Sequence, residues 1–455
     1  MRSLEGRRVL VMGLGLFGGG VGAARYLQRE GAEVTVTDLR TAETLSESIR
    51  ALEGVPVRYR LGGHDENDFT QADLVVANPA VPRSSPFLQV AESLGIPVTT
   101  EICLFLERCP CRVVGVTGSS GKTTTTCLLG EMLQRADPRA LVGGNVGGSL
   151  LDRLDELTSD TPVVLELSSF QLDRLGDAEW SPQIAVVTNF APNHLDVHGS
   201  LEAYRTAKQQ IVVHQGEGDY AVLNGDDAEV VGWEGLGRGE CVSFSVQGGQ
   251  TPGAYLRDGE VRHTIGGSEA TVCPASDLSL PGRHNLANAL AACGAALSWG
   301  VGESDVAAAI RDFSGVEHRL EYVGVVGGVT YYNDSIATSP DRTRVALESL
   351  PEGVILIAGG SDKGLSFGEL GPLIGRRTRD LVVLGETAEA IASAVPHGSE
   401  TGIHRADSLE DAVAAATRLA RPGGTVVLSP ASASYDMFRN FGERGHAFKR
   451  LVAEL

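Results

Sequence analysis

The stretch Gly115-Val116-Thr117-Gly118-Ser119-Ser120-Gly121-Lys122-Thr123-Thr124 constrains this chain more than any other, because it joins two runs of different character. An apolar run, Arg112 to Val116, precedes it, and a helix-compatible run, Thr125 to Arg135, follows. A glycine-rich turn between a strand and a helix aims successive N–H groups and the positive end of the helix at one point, which is how a phosphate is held. Lys122 is spaced to reach β/γ-phosphates and Thr123 to ligate Mg²⁺. Val116 stands where the strict G-x-x-x-x-G-K-[ST] pattern has glycine, so the loop is a variant. A glycine-rich turn with an incidental lysine is the bland alternative. Strand before, helix after and Lys-Thr in place favour phosphate binding by Gly118, Ser119, Ser120, Gly121, Lys122, Thr123 and Thr124, with ATP as the expected ligand.

A length of 455 residues and 42% apolar side chains suit about three domains with ordinary cores. The 38 basic against 58 acidic residues give a net charge of −20, which argues against nucleic acid or a membrane surface as the main partner. Cysteines at 103, 109, 111, 127, 241, 273 and 293 are scattered, and Cys109-Pro110-Cys111 lacks the spacing of a zinc half-site. Reduced thiols in a cytoplasm are the simplest account. The segment Met1 to Val9 has no signal-peptide core, and no segment approaches 18 uninterrupted apolar residues. A cytoplasmic protein without membrane insertion is expected, and a monomer.

Val9 to Met12 reads as a buried strand running into Gly13-Leu14-Gly15-Leu16-Phe17-Gly18, then a helix from Val21 to Glu30 and a strand from Glu33 to Thr37 ending at Asp38. This βαβ pattern, with an acid about 20 residues after the turn, would alone suggest NAD. The residues that follow (Leu74 to Ala77, then Asn78 to Pro82) offer no acid or base placed for hydride chemistry, which favours a nucleotide- or pyrophosphate-binding module. From Arg112, strands at 112–116, 163–167, 184–188 and 220–223 alternate with helical patterns, and a third set lies at 354–358, 381–384 and 426–428. The expected fold is α/β with mainly parallel sheets in three domains: Rossmann-like over 1–109, a central phosphate-loop ATPase type over 110–314, and a second Rossmann-like domain over 315–455. Chemistry is expected in loops after the strands.

Pro162 to Ser169 delivers Glu166 at the end of a buried strand, as a Mg²⁺ ligand beside a phosphate loop would be, although an acid at a solvated strand end gives the same pattern. His194 follows another strand, and Lys208 sits on a helix-like segment, Glu202 to Val212. Spacing alone leaves both open to ordinary structural or solvated roles.

Taken in order, Gly118 to Thr124, Glu166-Leu167-Ser168-Ser169-Phe170-Gln171, Asn189 to His194, Tyr204 to Lys208, Gly282 to Asn288, His318-Arg319, Asn333-Asp334-Ser335 and Leu428 to Ser434 resemble the Mur ligases along essentially the whole chain. These are ATP-dependent amide-bond-forming enzymes of peptidoglycan precursor synthesis. The end, Leu428 to Phe441, is most similar to the branch that adds D-glutamate to UDP-N-acetylmuramoyl-L-alanine.

The resemblance implies a route in which ATP phosphorylates the acceptor carboxylate, the amino group attacks the acyl phosphate, and phosphate leaves. It implies that Lys122 stabilises the γ-phosphate in flight, that Thr123 and Glu166 hold one Mg²⁺, and that His194 helps hold a second. Lys208 aligns with a carbamylated lysine, an anion that Mg²⁺ tolerates where it would repel an ammonium. Asn285, Asn288, Arg319 and Asp334 align with ATP contacts. Gly15, Leu16, Phe17, Asp38, Arg40, Asn78, Asn145 and His318 align with contacts to the UDP-linked substrate, and Thr338, Lys363, Ser434 and Phe441 with the glutamate pocket. The resemblance also implies that the third domain closes onto the second.

Two departures stand out. Ser119-Ser120 replaces the common Thr-Asn, a mild change where backbone N–H groups do the binding. Asp334-Ser335-Ile336-Ala337-Thr338 has isoleucine where the family's Asp-Ser-Lys-Ala-Thr motif has lysine, so one cation near the glutamate is missing. L-glutamate addition on the same acceptor is therefore an alternative. Further rivals are an NAD-dependent oxidoreductase built on Gly13 to Gly18 and Asp38, and a non-catalytic UDP-sugar sensor, which the intact Lys122, Glu166, His194 and Lys208 oppose.

Overall fold

A computed structural model of the chain describes residues 3–15, 18–146, 148–193, 195–249, 252–280, 282–362 and 365–455. Leu16, Phe17, His194 and Lys363 lie outside the described residues. Two compact units emerge, one of residues 1–278 with 283–311, the other of residues 279–282 with 312–455.

The first unit contains two sheets. Five parallel strands lie in the order Arg58–Leu61, Glu33–Asp38, Arg8–Met12, Leu74–Ala77, Val98–Thr99. The order reverses between Arg8–Met12 and Leu74–Ala77, and such a switch opens a crevice at the strands' carboxyl ends. Gly13 and Asn78 follow those two ends.

The second sheet runs Leu141–Gly144, Val163–Glu166, Val113–Thr117, Ile184–Val187, Tyr220–Asn224, Glu240–Ser245, Gly253–Arg257, Glu260–His263, Ala270–Pro274. Its pairs are parallel as far as Gly253–Arg257 and antiparallel beyond. Val113–Thr117, Val163–Glu166 and Ile184–Val187 are buried throughout, so they read as continuous apolar runs without a polar face. The helix Arg283–Trp299 lies over this sheet. A Cβ on Gly294 would be 3.2 Å from Val222, which shows why small residues fill that face. One hydrophobic core continues from Val9, Val11 and Tyr26 through Phe105 and Val113 to Leu165, Val187 and Trp233, joining both sheets into one unit.

The second unit holds one sheet in the order Glu321–Val326, Val329–Asn333, Thr425–Leu428, Val354–Gly359, Thr378–Leu384, Gly402–Arg405, parallel except for its first pair. Apolar clusters cover both faces, with Leu356, Ile374 and Val427 on one and Tyr331, Ile357 and Phe448 on the other. Asn333, Leu428 and Gly359 end adjacent strands, which brings three loops together there.

The mainly parallel α/β architecture agrees with the reading from sequence, and strand bounds agree within one residue except for Thr378–Leu384, which starts three residues earlier than expected. The antiparallel additions are new. They turn at Asp258-Gly259, with φ of 53° and 76°, and at Gly327-Gly328, with φ of 58° and 79°. Both are two-residue turns with left-handed backbone, matched to the twist of a hairpin. No helix among the described residues is long and apolar enough to cross a membrane.

Candidate active site

The loop at residues 118–121 leaves the central strand Val113–Thr117 and opens the 15-residue helix Lys122–Ala136. Its glycines are required sterically. Gly118 has φ 150°, and a Cβ there would lie 1.9 Å from the Thr188 hydroxyl; Gly121 has φ 77°, and a Cβ would lie 2.3 Å from Asn288 Oδ1. The neighbouring strand end stitches the loop in place. Ser120 N–H donates to Asn189 Oδ1 at 2.9 Å, Thr188 Oγ1 donates to the Ser120 carbonyl at 2.6 Å, and the Ser119 hydroxyl meets Tyr204 Oη at 3.0 Å.

Two lysines converge on this loop. Lys122 Nζ donates to the Gly118 carbonyl at 2.9 Å, and Lys208 Nζ donates to the same oxygen at 2.8 Å. Lys208 is only 1% exposed, from a helix, Leu201–Val213, whose N-cap Ser200 accepts from Ala203 N–H. Burial, then the charge of Lys122, hold its amine well below the usual lysine range, with Glu166 opposing.

Glu166 ends the strand Val163–Glu166 and is 2% exposed. Asn145 Nδ2 donates to its Oε1 at 2.8 Å, while its Oε2 is buried with no partner among the described residues. An orphaned carboxylate oxygen is costly unless something cationic completes it. With the buried Thr123 hydroxyl at the loop's end, the donor set is all oxygen, as Mg²⁺ prefers. These residues therefore fit one Mg²⁺. Next to Glu166, Ser168 and Gln171 form a reciprocal capping box on the helix Ser169–Asp177. His198 also belongs here, with Nε2 2.9 Å from the Ser169 hydroxyl and its ring stacked on Phe170 at 5.0 Å. Spacing gave no sign of His198, Thr188 or Asn189 as partners in this network, because they meet only across the sheet. Asn285 and Asn288 begin the helix Arg283–Trp299, 3.5 Å apart through their amides, with Asn288 against Gly121.

At the first sheet, Gly13 and Gly15 take φ of 92° and 67°. A Cβ on Gly13 would come 2.8 Å from the Asn78 Cβ, so the two strand ends touch. Asp38 accepts from Gly15 N–H at 3.2 Å and from Arg40 N–H at 2.9 Å. The acid thus shapes the turn that leads into the helix Gly19–Arg29.

In the second unit, His318 sits at φ 64° and accepts a 2.9 Å hydrogen bond at Nδ1 from Asn333 Nδ2. Arg319 has its Nε buried with no partner among the described residues, which suits an anionic oxygen. Asp334 is fastened by the Ser429 hydroxyl at 2.7 Å and Leu320 N–H at 3.0 Å, and burial pushes its carboxyl up to about 7, with Arg319 and Arg342 among the opposing influences. Ser434 is buried, Phe441 opens the helix Phe441–Ala453, and Thr338 N–H donates to the Ile336 carbonyl at 2.8 Å. Arg444, unread in the sequence, is 3% exposed and donates to the carbonyls of Ser335, Gly359, Ser432 and Ala433 and to the Ser335 hydroxyl. Glu317, His318 and His446 bring ligand atoms within 4.8 Å of one another. Lys449 Nζ lies 2.8 Å from Glu317, and the Asn333 N–H occupies His318 Nδ1, so in this structure the cluster is an ion-pair and hydrogen-bond network.

Three family descriptions match in sequence along the chain: the Mur ligase MurD-like N-terminal domain at 7–100, the Mur ligase middle domain at 116–296, and the Mur ligase glutamate ligase domain at 318–432. The chain is 43% identical to a UDP-N-acetylmuramoylalanine--D-glutamate ligase of Roseiflexus sp. (strain RS-1), covering 99% of both chains. It is 42% identical to the protein of that name from Symbiobacterium thermophilum, covering 98% of both. In fold it is similar to UDP-N-acetylmuramate-alanine ligase MurC from Thermotoga maritima, with a TM-score of 0.61 at 21% identity over 99% of this chain and 100% of that one. With a phosphate loop on the central strand, two lysines on one carbonyl and these full-length relatives, the chain belongs to the Mur ligase family.

Proposed function

We propose that this chain is an ATP-dependent ligase that joins D-glutamate to UDP-N-acetylmuramoyl-L-alanine in peptidoglycan precursor synthesis, acting in the cytoplasm as a monomer. The observation that carries the reading is the convergence of Lys122 and the buried Lys208 on the Gly118 carbonyl, in a unit that also buries the half-satisfied carboxylate of Glu166. When bound, ATP with Mg²⁺ supplies a phosphoryl group to the acceptor carboxylate, and the amino group of glutamate displaces phosphate from the acyl phosphate so formed.

The chain's own residues orient and neutralise. The N–H groups of residues 121–124 and the helix dipole would hold the phosphates, with Gly118, Ser119 and Ser120 shaping the loop against Asn189, and Lys122 would exchange its loop carbonyl for the γ-phosphate oxygens. Glu166 Oε2 and Thr123 would supply oxygen ligands to one Mg²⁺, with Asn145 fixing the carboxylate; Asn145 would in addition meet the acceptor. As a carbamate, Lys208 would carry the negative charge that a second Mg²⁺, held together with His194, would require. Asn285 and Asn288 flank adenine, and Arg319 and Asp334 the phosphate and ribose. Gly15, Leu16, Phe17, Asp38, Arg40, Asn78 and His318 serve the UDP-linked substrate, and Thr338, Lys363, Ser434 and Phe441 the glutamate. In this scheme 1–109, 110–314 and 315–455 divide the work among acceptor, nucleotide and amino acid.

The test is phosphate release from ATP with UDP-N-acetylmuramoyl-L-alanine in bicarbonate buffer, comparing D-glutamate, L-glutamate and no amino acid. Release that depends on D-glutamate is expected. Preference for L-glutamate would move the chain to an L-adding specificity, and no release with either would overturn the ligase reading.

A further inference from the structure

Glutamate carries two carboxylates, and a site that binds it in water needs cationic donors at both. Ile336 supplies none in the Asp334 to Thr338 loop. Arg444 does not compensate, because its donors go to backbone carbonyls of residues 335, 359, 432 and 433 and to the Ser335 hydroxyl. Arg319 and Arg342 both act on Asp334, and Arg319 is assigned to the nucleotide; Arg342, in the first turn of the helix Pro340–Ser349, reaches this loop with its side chain. Its Nη1 donates to the Ile336 carbonyl at 3.0 Å, the same oxygen that accepts from Thr338 N–H at 2.8 Å. Arg342 is therefore anchored at the position whose side chain lacks a charge, sharing an acceptor with Thr338. Its charge also reaches the buried Asp334 of the same loop.

We propose that Arg342 is a specificity-determining residue for the amino-acid substrate, supplying through its guanidinium the cation that Ile336 does not, and pairing with a carboxylate of glutamate. This rests on the ligase reading above. A planar guanidinium offers two parallel N–H bonds to a carboxylate, whereas a lysine offers a point charge, so the replacement changes the geometry while keeping the sign.

The test uses the full chain. Wild-type phosphate release with D-glutamate is measured first; its absence would count against the ligase reading and not against Arg342 as such. Given that activity, Arg342→Ala should raise KM for D-glutamate at least tenfold while KM for ATP stays within twofold. Adding Ile336→Lys to Arg342→Ala should recover most of the lost KM. Thermal melting of each variant separates misfolding from loss of the contact, and Arg342→Lys provides a milder perturbation that should fall between wild type and Arg342→Ala. An unchanged KM for glutamate in Arg342→Ala, an equal rise in KM for ATP, or no recovery in the double variant would overturn the assignment.

Discussion

Replacing Glu101 with glutamine should stabilise the first unit, and by an amount that grows with pH. Glu101 opens the helix Glu101–Leu106, and its Oε1 accepts a 2.5 Å hydrogen bond from the Ser149 hydroxyl, which lies beside Gly22 of the helix Gly19–Arg29. Burial raises its carboxyl from 4.5 to about 7, with Ser149 opposing and Asp152 adding to the rise. Between those values the folded chain keeps a proton that the unfolded chain has released. Stability therefore falls as pH climbs through that window and levels off above it. At ~1.4 kcal/mol per pH unit, the interval from 4.5 to about 7 corresponds to about 3 kcal/mol above pH 7 and less than about 1 kcal/mol at pH 5. Glutamine keeps the acceptor for Ser149 and carries no charge at any pH. Its unfolding midpoint, followed by far-UV circular dichroism, should match wild type within about 1 °C at pH 5 and exceed it by about 4 °C at pH 8, for a unit of roughly this size. Equal differences at the two pH values, or a less stable variant at pH 8, would refute the reasoning, since Glu101 would then ionise in the folded protein without penalty.

Removing the amine in Lys208→Ala should abolish nearly all ligase activity, and short carboxylates added to the assay should restore part of it by standing in for a carbamate; full activity in the untreated variant would end the carbamate assignment. Gly121→Ala should weaken nucleotide binding, because φ 77° and a Cβ 2.3 Å from Asn288 Oδ1 distort the loop at a cost of about 1–3 kcal/mol. Nucleotide titration monitored by calorimetry checks this, and wild-type affinity with an unshifted melting curve would contradict it.

Much of the fold could be read because buried parallel strands leave a plain signal. Val113–Thr117 and Val354–Gly359 are apolar on both faces, so they appear as unbroken runs, each followed by a glycine turn. The antiparallel strands Gly253–Arg257 and Glu260–His263 are short and end or begin on charged residues, with only the second alternating, which hid them among loops. Their turn, Asp258-Gly259, was nonetheless a readable hairpin signal. The phosphate loop was legible because its residues are contiguous. The partners that complete the site were not. Lys208 is 90 residues from Gly118, and Asn145 is 21 from Glu166, so their meeting depends on sheet order that no local pattern specifies. Arg342 is illegible for a different reason: an exposed arginine in a first helical turn has the sequence pattern of a solvated one, and only the fold supplies its hydrogen bond to the Ile336 carbonyl.

Arg444 bears on how the second unit is made during synthesis. The carbonyls it gathers follow strands 329–333, 354–359 and 425–428, and the arginine comes after all of them in the chain. All three strands precede it in the chain, but their ends stay unfastened until residue 444 is in place. Chains truncated between 430 and 440 should then present this sheet to proteases with loose ends, whereas the full chain, with the helix Phe441–Ala453, should resist, making this helix the clasp of the unit's assembly.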